Sequence, residues 1–354
     1  MPISKKRIFM LVAIGVAVIV ATGRTLFSPQ GIDPIPEAQI ELTKVIDGMT
    51  FKLTDQGELY RVDDRTGKWH YHDTVFDLKG MMASYRVEGD ATYRINPETN
   101  ESIPTRRRFR EGFEALPTGV EGTRRMIGIE RGWGALTLQS PSAPQVKDYV
   151  RLRSQILTGG GDFRDASVAP DDSKFRSGSL SLKCVAPPRT SDMICCKSSI
   201  SSPLIYFRQG DDFWFRGYFF AGSSRPHTIM DLECEWLKQH SGIRVMIDEM
   251  GRLGVELKAL DKPKYRQTMN DPILFPLGQW VEVKVHFVLS HTEDGVIQLW
   301  QDGQLVVDTH GVTLPLKRAI YNSLEIGISA HSYGDLPCEL WVDDLEVSDQ
   351  PFAN

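Results

Sequence analysis

The stretch Gln279–Asp308, QWVEVKVHFVLSHTEDGVIQLWQDGQLVVD, constrains the fold more than any other part of the chain. Val281, Val283, Val285, Phe287 and Leu289 alternate with Glu282, Lys284 and His286. A period of two puts the apolar set on one face of a strand and the polar set on the other. Asp294-Gly295 and Asp302-Gly303 supply the positive φ that tight hairpins require. VIQLW between them reads as the next strand, and the pattern returns in Leu324–Ser329 and Glu339–Ser348. The C-terminal half is therefore an antiparallel sheet with one buried face.

The rest of the chain is less regular. Lys5-Lys6-Arg7 precedes an apolar run from Ile8 to Ala21, ended by Thr22-Gly23-Arg24. This is the layout of a signal peptide or signal anchor over 1–23, shorter than the ~20 residues of a full span. It predicts an exported protein that meets a membrane only through this segment. Residues 24–40 read as a polar, proline-containing linker. Residues 41–104 read as a small β-rich segment with an internal echo. Tyr60–Lys68 matches Tyr93–Glu101, as two hairpins of one small sheet. Residues 105–354 form the main domain, with Phe109–Glu114 as its first strand and Lys174–Val185 as a later one. Val146–Leu157 is the one helical candidate. The glycine run 158–162 lacks the following helix and the Lys-Ser/Thr pair of a phosphate loop and reads as a flexible loop. In Phe213–Phe220, FWFRGYFF, the aromatic residues serve the core or face a groove and stack on sugar rings.

A formal charge of -5 gives no electrostatic case for nucleic acid. There are five cysteines, Cys184, Cys195, Cys196, Cys234 and Cys338. Export predicts a disulfide, placed here between Cys184 and Cys195 or Cys196. No Rossmann fingerprint, G-x-S-x-G elbow or H-E-x-x-H motif occurs.

Gln279-Trp280-Val281, the segment Asp294–Gly303 and Trp341–Val347 resemble the closing strands of concanavalin A-like jelly rolls. That superfamily holds lectins, laminarin-type glucanases and alginate-lyase-like enzymes. The resemblance implies an all-β jelly-roll sandwich whose concave face recognises a polysaccharide. Trp236, His227 and His240 are then carbohydrate-binding candidates.

Two catalytic sets follow from the same resemblance. The strand Asp231-Leu232-Glu233-Cys234-Glu235 is similar to the E-x-D-x-E strand of the glucanases. It implies Asp231 as nucleophile, Glu233 as tuning carboxylate and Glu235 as acid, on one face. Lys317–Asn322 resembles the K-x-x-x-Y-N motif of alginate lyases. It implies Lys317 as the carboxylate-holding residue and Tyr321 as the proton carrier. Glycan binding without catalysis is the leading expectation, a glycanase or lyase the alternative, and a structural adhesion module the third. A structural calcium is expected on Asp343 and Asp344, helped by Asp302 and Asp308.

Overall fold

The computed structural model describes residues 31–353 except 47, 98, 259–262, 268 and 333. The expected signal segment lies outside them. No helix of the described residues is long and apolar enough to cross a membrane.

Two antiparallel sheets face each other, giving the sandwich that the alternation predicts. The eight-stranded sheet runs Ser167–Asp171, Ser181–Ala186, Cys338–Ser348, Asp212–Ala221, Trp280–Val288, Gly295–Gln301, Gln304–Gly311; Phe109–Glu111 pairs with Cys338–Ser348 off this path. The seven-stranded sheet runs Lys264–Tyr265, Leu253–Leu257, Gly242–Ile247, Thr228–Glu233, Ser323–His331, Cys196–Ser202, Ala135–Thr137. Phe213, Phe215 and Phe219 point inward from the first sheet with Val281, Val283, Val285 and Phe287, all fully buried. Leu232, Ile243, Val245, Val255, Leu324, Ile326 and Ile328 meet them from the second. The aromatic strand thus divides by parity. Its odd positions build the core, and Trp214, Tyr218 and Phe220 stand half-buried on the outer face.

The helix over Val146–Leu157 forms as expected, closed at its start by a Gln145–Asp148 capping box. Two short helices, Leu78–Ala83 and Gly119–Met126, carried no visible period. The two echoed hairpins do not share a sheet. Tyr60–Lys68 belongs to a four-stranded meander over Ile40–Thr74, and Tyr93–Glu101 to a three-stranded sheet over Tyr85–Pro104. Residues 31–40 are not a bare linker, because Ile32 exchanges backbone hydrogen bonds with Trp69.

The N-terminal elements are tied to the sandwich by paired groups. The amide of Asp77 donates to the Trp236 carbonyl at 3.0 Å. Lys238 pairs with Asp73, and Arg318 with Asp55 at 3.3 Å.

The disulfide expectation fails, as all five cysteines are free. Cys184 lies in the eight-stranded sheet and Cys196 in the seven-stranded one, so no hairpin joins them. The Cys184 Sγ instead fills the space at Gly327, where a Cβ would stand 2.7 Å away. Gly327 also has φ +114°, so glycine is required there twice over. Burial pushes the thiols of Cys184, Cys196 and Cys338 up to about 12, which suppresses their reactivity.

The two tryptophans of the resemblance are placed differently. Trp341 is buried on the outer face under the stems of Lys174 and Lys183, whose amines lie 4.9 and 4.6 Å from its ring. Its Nε1 donates to Asp171 at 2.9 Å. Trp280 is half-buried and meets Phe220 edge-on at 5.7 Å. We expect Trp341→Ala to cost about 3–5 kcal/mol in denaturant unfolding. Trp280→Ala is expected to cost about 1 kcal/mol, in line with its partial burial. Equal losses would contradict this packing.

Candidate functional site

The outer face of the seven-stranded sheet is where charge collects. In each of its central strands one alternating set of residues is apolar and inward, so the intervening positions share the other face. Asp231 and Glu233 come from Thr228–Glu233, Arg244 from Gly242–Ile247, Glu256 from Leu253–Leu257, Glu325 from Ser323–His331, and Lys197 with Ser199 from Cys196–Ser202. Lys258 follows directly on the strand that carries Glu256. Asp231 stands opposite Glu325 in the ladder on one side and opposite Arg244 on the other.

Four of these carboxylates are nearly inaccessible: Asp231 is 1% exposed, Glu256 2%, Glu325 5% and Glu233 6%. Carboxylates that deep persist only when paired or protonated. Lys258 bridges two of them, 2.8 Å from Asp231 and in direct contact with Glu233. Ser329 donates to Asp231, and Ser199 donates to Glu325 at 2.5 Å. Arg244 holds Glu256 through two nitrogens, at 2.8 and 2.5 Å. Among the described residues, no carboxylate lies within ion-pair distance of the Lys197 ammonium.

The protonation states follow from these neighbours. Burial pushes the Asp231 carboxyl up, but Lys258 and Arg244 outweigh it and hold the group below its ordinary value. Burial likewise opposes charge on Lys258, and Asp231 with Glu233 reverses this, so the amine stays protonated. Lys197 is held cationic chiefly by the nearby Glu325 carboxylate, against burial. Glu325 itself is raised to about 7, burial being the largest cause and Lys197 opposing it. His227 lies 3.5 Å from Arg244, from its Nε2 to Nη2. Burial, then Arg244, lowers it to about 4, so it is neutral at pH 7. The face thus carries a carboxyl poised near neutrality, a neutral imidazole and an ammonium without an ion-pair partner among the described residues.

The side chains named from sequence separate into those the fold brings here and those it does not. Asp231 and Glu233 share the face through Lys258. Glu235 does not join them, because the strand ends at Glu233 and the chain turns, with Leu237 N donating to the Cys234 carbonyl. The Glu235 carboxylate instead meets Arg94 of the three-stranded sheet at 2.7 Å. Trp236 packs beside it, 5.5 Å from the Tyr85 ring and 5.4 Å from the Arg94 guanidinium. His240 is largely exposed, with Nδ1 3.9 Å from Glu233.

The Lys317 and Tyr321 pair is not assembled. Tyr321 is fully buried and its hydroxyl donates to the Thr313 carbonyl at 2.6 Å, while Lys317 is exposed and its amide meets Glu41. Asp343 and Asp344 do not fit a calcium. Asp343 accepts N–H groups from Arg176, Ser177 and Asp344, and Asp344 accepts from the Ser177 hydroxyl. Asp308 bonds Gln298, and Asp302 bonds the Glu282 amide. Among the described residues, no group of three or more His, Cys, Asp or Glu side chains is arranged to hold a metal ion.

Lys197, Arg244, Lys258 and Glu325 were not singled out in the sequence. The available signal was a single charged residue inside an otherwise apolar strand, as in GIRVMI and LEIGIS. Such residues are rarely buried unless paired.

The two antiparallel sheets packed face to face, one with a polar, charged outer face, make the chain a concanavalin A-like jelly roll. The family model for Polysaccharide lyase matches residues 153–346, more than half of the chain, and the protein belongs to that family. No curated protein matches. Among solved structures, the chain is similar to the endo-β-1,4-glucuronan lyase of the fungus Trichoderma reesei, at 13% identity and a TM-score of 0.43, covering 52% of this chain and 87% of that one. It is similar to cellulose induced protein Cip1 at 15% identity and 0.46, covering 70% and 99%. It is also similar to the alginate lyase Aly36B at 10% and 0.41, covering 71% and 100%.

The raised Glu325 makes stability depend on pH in a definite direction. The fold holds this proton up to about 7, against an ordinary value of 4.5 in the unfolded chain. Its contribution is therefore complete below about 4.5 and is lost as pH rises through about 7. Wild-type stability measured relative to Glu325→Gln should fall across that window and then level off. A difference that is flat or rises with pH would contradict the burial of this carboxyl.

Proposed function

We propose that this protein is a polysaccharide lyase that cleaves a uronate-containing chain by β-elimination on the outer face of the seven-stranded sheet. The observation that carries the reading is the Lys197 ammonium. It is partly buried, held cationic against burial by the acids around it, Glu325 first, with Asp231 still acting when Glu325 holds its proton, and without an ion-pair partner among the described residues. A uronate carboxylate would complete it.

The chemistry asks for three things. The negative carboxylate at C5 must be offset, or its α-proton is too weakly acidic to leave. A base must take that proton, so that its electron pair forms the C4=C5 double bond as the C4–O bond breaks. The departing oxygen must then receive a proton. Lys197 suits the first task. His227, neutral at pH 7, suits the second, and protonated Glu325 suits the third. Lys258 is occupied by Asp231 and Glu233, and its role is to keep that part of the face fixed. An extracellular site of action fits both the family and the apolar segment after Lys5-Lys6-Arg7.

The test is incubation with a panel of polyuronates, alginate and glucuronan among them, and with a neutral β-glucan. Absorbance of the unsaturated uronate should appear with a polyuronate and not with the glucan. Lys197→Ala should lower kcat/KM by about a hundredfold or more, the scale of a lost charge-stabilising contact. Turnover should also fall as pH rises through about 7, as Glu325 loses its proton. Reducing ends released without unsaturation would make the protein a hydrolase. Binding without turnover would restore the binding-only reading.

A further inference from the structure

Where the three-stranded sheet abuts the sandwich, the seam holds a cavity of about 400 Å³. Its lining includes Thr92 and Tyr93 from the N-terminal side, then Thr105, Arg107, Tyr206 and Arg208. This volume suits one or two sugar rings and lies in the range of small-molecule sites. A free inorganic anion would leave most of it empty.

The charge at the cavity favours an anion. Arg107 is held by Asp211 at 3.0 Å and Asp349 at 3.4 Å, over the Phe207 ring. Arg208 is exposed, and among the described residues its guanidinium has no ion-pair partner. Asp90 is the single acid among the lining residues. Tyr93 and Tyr206 add two rings and two hydroxyls, the combination of flat apolar surface and polar tip that a pyranose requires.

From the cavity a line of contacts runs to the turn that follows the Thr228–Glu233 strand. Tyr206 meets Tyr85 edge-on at 5.2 Å, Tyr85 meets Trp236 at 5.5 Å, and Arg94 covers Trp236 while pairing with Glu235. Along this line the Tyr85 hydroxyl and the Arg94 Nε are buried with no hydrogen-bond partner among the described residues. Tyr85, Tyr93, Arg94 and Arg107 all precede residue 153, where the match to the family begins.

We propose that the seam is a second anionic-sugar site, in which a uronate carboxylate rests on Arg208 and its ring lies against the tyrosines. The site is made where an N-terminal element that the family match does not cover meets Tyr206 and Arg208 of the matched region. It would hold a further uronate of the chain while another lies over Lys197. Only the choice of uronate rests on the lyase reading.

D-glucuronate tests this directly, because it has no glycosidic bond to cleave. Titration of the full chain, followed by NMR, should show two classes of site. Arg208→Ala should remove the seam class, weakening it at least tenfold, with Arg208→Lys recovering part of the loss. Lys197→Met should remove the other class and leave the seam intact. D-glucose should not compete. Glucuronate binding unchanged in Arg208→Ala, or absent from the seam in wild type, would overturn the proposal. Equal displacement by inorganic phosphate would overturn the sugar assignment. Loss of the Lys197 class alone would count against the lyase reading and not against the seam.

Discussion

The ion pairing around Lys258 is the constraint on which the functional face depends. One ammonium serves both Asp231 and Glu233, two carboxylates less than a tenth exposed on neighbouring outward positions of a single strand. Removing that cation would take the lysine partner from two buried carboxyl groups at once, and losing one partner of a buried pair costs several kcal/mol. The same network sets the rest of the electrostatics. Burial above all, with the nearby acids Glu233 and Asp231 adding to it, leaves Glu325 as the carboxyl that keeps its proton up to about 7. Lys197 is then the cation with charge to offer a ligand.

The arrangement depends on strict parity across the sheet. Ile243, Val245 and Ile247 face the core while Arg244 faces out; Leu324, Ile326 and Ile328 face the core while Glu325 faces out. A slip of one residue in either strand would move a charge into the sandwich interior and a branched aliphatic onto the face. Core packing and site geometry are therefore the same specification, and the apolar alternation positions the chemistry as well as stabilising the fold.

This is also why the fold was legible in the sequence and the site only in part. The period of two in Gln279–Asp308 identifies the strands and their buried face without reference to partners. Val146–Leu157 shows its helix in the same way. The site instead gathers residues from five strands that lie far apart in the chain, and no local spacing links Lys197 to Glu325 or Lys258 to Asp231. The alternation placed Asp231 and Glu233 together correctly. It misplaced Glu235 because nothing in Cys234-Glu235-Trp236 announces the turn that ends the strand. Tyr321 had motif spacing without exposure, since the neighbouring apolar Ile320 and Leu324 carry it into the core. The disulfide failed for a related reason, because proximity in sequence does not place two cysteines in the same sheet.

The central claim is that the polysaccharide lies across the outer face of the seven-stranded sheet, with a carboxylate on Lys197. The most direct measurement is a crystal structure of the Glu325→Gln variant with a uronate oligosaccharide, in which turnover is suppressed and the chain remains whole. A sugar carboxylate within hydrogen-bond distance of the Lys197 amine, with the chain crossing Asp231 and Arg244, is the predicted result. An oligosaccharide bound instead on the outer face of the eight-stranded sheet, beside Trp214 and Trp300, would contradict it.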